Sequence, residues 1–136
     1  MPTRSEEASQ SQLYVAVFLG GAIGALTRAG ILELWPVTPG QWPWATFLAN
    51  VSGCAILAFV ISHQRVNGWS SARLALLGSG FCGALTTFST IQLELYEMID
   101  LGDIELALIY ALTSLSVGFL AVSTARRFVD SGRDLA

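Results

Sequence analysis

The side chains able to do chemistry in this sequence stand inside apolar stretches. Thr46 and Asn50 lie one helical turn apart with Gly53 beside them, and Asn50 is the only amide in a predicted helix over 44–63. Three glycines (Gly78, Gly80 and Gly83) precede the run Thr86-Thr87-Phe88-Ser89-Thr90. Tyr110 and Ser114 share a helix face at i, i+4, and Arg28 follows Gly24 at the same spacing. These groups offer N–H and O–H donors in apolar surroundings. Such donors either line a water-filled path or hold helices together by hydrogen bonds. For Arg28 the alternative is snorkelling toward the interface, and for Tyr110 and Ser114 it is bonding to their own helix. A hydrolase would need a Ser–His pair or paired aspartates, and the single histidine, His63, stands at the end of an apolar stretch. Cys54 and Cys82 read as small buried residues, and no Cys/His/Asp spacing marks a metal site.

The elements that position these groups follow from the charges. The chain has 136 residues, 12% of them charged, and a mean hydropathy of +0.58. All its charges fall into five clusters: 4–7, 28–33, 65–73, 94–105 and 126–134. Between them lie four charge-free windows of at least 20 residues, each long enough for a helix to cross a bilayer. Four spans are therefore predicted, over about 13–34, 44–63, 72–95 and 105–125. Flexible tails are expected at 1–12 and 126–136, and the first apolar stretch reads as a retained span rather than a cleaved signal. Glu33 and Glu94 are placed at the ends of spans. Trp35, Trp42 and Trp44 cluster in the first loop as interfacial aromatics do. No period-two pattern competes, so the fold class is an all-α integral membrane protein with four transmembrane helices. With a net charge of −3 and no basic patch, a nucleic-acid partner is excluded; the partner is the lipid bilayer.

Two features refine this reading. Glycine and threonine weaken helix propensity, so the third helix is expected to break at mid-membrane. Non-helical backbone at that depth is tolerated where it is buried or lines water, and its free carbonyls and N–H groups are the material of ion sites. Gly20 with Gly24, and Gly21 with Ala25, form small-xxx-small pairs suited to close helix approach. The arginines carry the orientation: Arg4, Arg65, Arg73, Arg126, Arg127 and Arg133 lie on one side, and no loop arginine lies on the other. The positive-inside rule places both termini in the cytoplasm.

The chain resembles the Fluc/CrcB fluoride channels over all four spans, through GGAIGALTR (Gly20–Arg28), ATFLANVSG (Ala45–Gly53) and GFCGALTTFST (Gly80–Thr90). The resemblance implies an antiparallel, dual-topology-type dimer in the bacterial plasma membrane, with two pathways that export fluoride passively and lower its toxicity. It implies a structural sodium ion (Na+) at the dimer centre, held by the backbone carbonyls of Gly83 and Thr86. Asn50 looks like the family's pore asparagine, Thr46 like the hydroxyl one turn before it, and Phe88 like the first of two pore phenylalanines. Ser89 and Thr90 continue that motif, Arg28 resembles a vestibule arginine, and Tyr110 and Ser114 are similar to a polar track on the fourth helix.

Two departures stand against the family pattern. Ile91 occupies the position of the second phenylalanine, so one ring edge is missing from the pathway it faces. The arginine bias favours insertion in one orientation, hence pairing with an oppositely oriented paralogous subunit rather than with itself. Two alternatives follow: a non-conducting or weakly conducting partner subunit, and a small multidrug/proton exchanger. The second is disfavoured because proton coupling needs a carboxylate within the membrane and none is placed well inside a span.

Overall fold

The structure, a computed structural model, describes residues 4–133 and is all-helical among them. The first helix, α1, covers Arg4–Leu34, and α2 covers Trp44–Asn67. Helix α3 is built of three consecutive pieces: Ser71–Leu74, a π-helical segment Ala75–Cys82, and Gly83–Leu85. After Thr86 and Thr87 the chain resumes as α4 (Phe88–Asp100), and α5 covers Ile104–Arg133. Four stretches are long and apolar enough to cross a membrane, α3 and α4 together supplying the third. The expected tails are helical where described: α1 begins at Arg4 and α5 runs to Arg133, while residues 1–3 and 134–136 lie outside the described residues. Glycine with positive φ closes the turns, Gly68 (φ 62°) capping α2 and Gly102 (φ 86°) preceding α5.

The third span breaks where its composition predicts. Thr86 (φ −80°, ψ 151°) and Thr87 (φ −146°, ψ 122°) are both extended. The π-helical stretch before it, Ala75–Cys82, has no counterpart in the sequence pattern. It lies where glycines let α1 and α3 approach closely. A Cβ on Gly20 would stand 2.0 Å from the Leu76 carbonyl oxygen, and one on Gly24 would stand 2.3 Å from that of Phe81. Gly80 answers from the other side, where a Cβ would lie 2.8 Å from the Val17 carbonyl oxygen. Of the two small-residue pairs on α1, Gly20 and Gly24 point into this contact; Gly21 meets Gly80 only through its backbone N–H, and its Cβ direction is open.

Helix α2 packs along α5, and α4 closes over α5 through a core of Met98, Ala107 and Tyr110 with Trp42, Phe47 and Ile91 against it. Trp42 is thus drawn inward from the expected interfacial cluster. Its ring meets Tyr110 edge-on at 5.3 Å and Phe47 at 5.5 Å. Much of the outer surface is apolar, including Phe18, Leu26, Leu112, Leu115 and Phe119, as suits a chain surrounded by lipid or a second subunit.

Candidate functional site: the helix break and its two polar clusters

Local chemistry makes the break. Thr87 is the N-cap of α4: its Oγ1 accepts from the Thr90 N–H at 3.2 Å and lies 2.9 Å from Thr90 Oγ1 and 3.3 Å from Ser89 Oγ. Thr86 ends the preceding half, where both its N–H and its hydroxyl donate to the Cys82 carbonyl, at 3.0 and 2.9 Å. Helix α2 then fastens the break from the side. Asn50 Nδ2 donates to the Thr87 carbonyl at 3.0 Å, and Asn50 Oδ1 accepts from the Thr87 N–H at 2.7 Å. One turn along the same face, Gly53 makes room for Thr86, whose Cγ2 lies 2.3 Å from where a Gly53 Cβ would stand.

Beside the break lies a cavity of about 400 Å³. Its polar lining comes from Asn50, Thr86, Thr87, Gln92 and Ser114, and Phe88, Ile91 and Phe47 supply much of the rest. Phe88 stands at the first position of α4 with its side chain 76% exposed. Ser114 Oγ is buried and has no hydrogen-bond partner among the described residues. Asn50 keeps one N–H uncommitted, because an amide carries two and the Thr87 carbonyl takes one.

The site residues expected from sequence separate into groups. Asn50, Phe88, Ile91, Ser114 and Thr86 meet at the cavity. Ser89 and Thr90 turn into the cap of α4 instead. Gly83 and Thr86 also flank a second groove, between α2 and α3, with Leu57, Ile61 and Gly78. Arg28 is half-buried on α1 and does not line the cavity.

Thr46 and Tyr110 form a cluster of their own around Glu94, which is expected at the end of a span and is found elsewhere. Glu94 lies inside α4, 4% exposed, rather than at the end of a span. Its Oε1 accepts from Thr46 Oγ1 at 2.5 Å and its Oε2 from the Tyr110 hydroxyl at 2.7 Å. Tyr110 is fully buried there, so it faces a carboxyl group and not the cavity. The reason for the miss is physical. Glu94 opens an acidic run that looks like a loop, yet α4 continues six residues past it to Asp100. Helical spacing held the clue, since Glu94 follows Thr90 by four and Ile91 by three. A carboxyl group therefore does stand within a span, contrary to the expectation that disfavours an exchanger.

Residues 15–126 match the family described as CrcB-like protein, Camphor Resistance (CrcB). The chain belongs to the CrcB family. The match takes in all four membrane-crossing stretches and the break; the helical extensions at either end fall largely outside it. Among CrcB relatives, one from Mycobacterium bovis named "Fluoride-specific ion channel FluC 1" is 46% identical over 112 residues, covering 81% of this chain and 84% of the relative. One of the same name from Mycolicibacterium paratuberculosis is 44% identical over 116 residues, covering 84% and 87%. A Bacillus subtilis relative named "Fluoride-specific ion channel FluC 2" is 39% identical over 109 residues, covering 80% and 81%. The family is one of ion channels rather than enzymes.

Proposed function

We propose that this chain is a subunit of a fluoride-selective channel that lets fluoride leave the cytoplasm passively and so limits its toxicity. One observation carries the reading: in a CrcB chain, the cavity at the helix break offers uncommitted neutral donors. These are the second N–H of Asn50 and the exposed ring of Phe88. Fluoride is small and strongly hydrated, so a pathway must replace its water with other donors. Amides, hydroxyls and the positive edge of an aromatic ring do so without a full cation that would trap the ion. Arg28 would then act at an entrance, away from the cavity, and Thr46 and Tyr110 through Glu94.

The exposed Phe88 ring and the apolar outer surface favour a second subunit completing the pathway. We place the chain in an antiparallel dimer in the bacterial plasma membrane, with both termini cytoplasmic. Arg65, Arg73, Arg126 and Arg127 gather toward that side, which favours a paralogous, oppositely oriented partner over a second copy. A sodium ion at the dimer centre would be held by the carbonyls of Gly83 and Thr86. The donor set fits, since Gly83 is exposed and both carbonyls lie at the end of a helix that stops.

Efflux from liposomes tests the reading. Purified chain, alone and with a paralogous subunit, should release fluoride and retain chloride. Absence of fluoride release from both preparations, or equal release of chloride, overturns it.

A further inference from the structure

We propose that Asn50 is the positioning residue of the break: its amide captures the N–H and the C=O of Thr87 and so keeps the Gly83 carbonyl free for a cation. The inference rests on the sodium site proposed above and adds how that site is kept open. In a continuous helix each carbonyl accepts from the N–H four residues on. The Gly83 carbonyl would be closed by the Thr87 N–H, and the Thr86 carbonyl by the Thr90 N–H. Both donors are taken elsewhere. The Thr87 N–H goes to Asn50 Oδ1 at 2.7 Å, and the Thr90 N–H goes to Thr87 Oγ1 at 3.2 Å. The second bond is the local N-cap bond of α4, and the first is the one that Asn50 supplies.

The fit between α2 and the break is two-sided. Asn50 meets the Thr87 peptide at both its N–H and its C=O, as a neighbouring strand would. Gly53 receives Thr86 on the same face of α2, at a separation no larger side chain allows. A residue whose only task was to offer a donor to a passing anion would not need its acceptor committed to the backbone.

Sodium-dependent thermal stability of the purified assembly, with N-methyl-D-glucamine as the replacement cation, separates the roles. The unsubstituted protein should be stabilised by sodium. Asn50→Ala, which loses both bonds, should need about tenfold more sodium for the same stabilisation, on the scale of the hydrogen bonds lost. Asn50→Asp, with its carboxyl protonated, keeps an acceptor for the Thr87 N–H and an O–H donor for the Thr87 carbonyl, and should hold its sodium midpoint within about threefold of the unsubstituted protein, while losing fluoride efflux with the second N–H. If Asn50→Ala does not fold, the Asn50→Asp midpoint decides alone. An unchanged midpoint in Asn50→Ala, or a lost response in Asn50→Asp, overturns the positioning role. No sodium response in the unsubstituted protein overturns the cation site itself, and the positioning role with it.

Discussion

Two hydroxyls converge on one carboxyl group where Thr46 and Tyr110 donate to separate oxygens of Glu94. Removing either donor leaves a buried acceptor unsatisfied, which costs about 1–3 kcal/mol. Tyr110→Phe and Thr46→Val should each lower the unfolding midpoint in detergent. The double variant should lose less than the two losses added, because the partners share Glu94; full additivity would show that the two bonds act separately. Ile91 sets a different test. It lines the cavity with its other side on the core, so Ile91→Phe should add a ring edge beside Phe88. Fluoride efflux from the assembled dimer should rise about two- to tenfold, the worth of one aromatic contact. Unchanged efflux would show that position 91 does not face the conducting path. At this scale the sequence spoke unevenly. Asn50 was legible as a lone amide in an apolar helix, but its commitment to Thr87 depends on how α2 lies against the break. Glu94 was hidden by its acidic neighbours.

Helix by helix, pattern and structure agree where a local cause suffices. Charge-free windows delimit spans because a charge inside lipid is costly, and the Gly/Thr run stops a helix through its own propensities. The π-helical segment had no such local signal. It lies where Leu76 and Phe81 meet the backbone of α1, a contact that exists only in three dimensions. Gly20→Ala should therefore force α1 from α3 at a cost of about 1–3 kcal/mol, read as a lower unfolding midpoint. Gly21→Ala, with nothing within 4 Å of its Cβ, should leave the midpoint unchanged or raise it. Equal losses from the two substitutions would show that the seam is not sterically tight.

On the scale of the whole molecule, the arginine distribution predicts one orientation. A reporter fused to the C-terminus should be found only on the cytoplasmic side of the membrane. Equal populations on both sides would favour a homodimer of inverted copies. The chain itself is assembled from two differently fastened parts. Helix α1 lies on the first half of the third span by close backbone fit, which glycine permits. Helices α2, α4 and α5 are joined by buried polar bonds at Glu94, and α2 is tied to the break by the half-buried Asn50. Water competes with the second kind of fastening and hardly touches the first. The cavity opens among α2, α4 and α5, so any hydration that conduction brings falls on the solvent-sensitive half of the protein. The glycine seam, held by backbone contact, takes no part in that cavity.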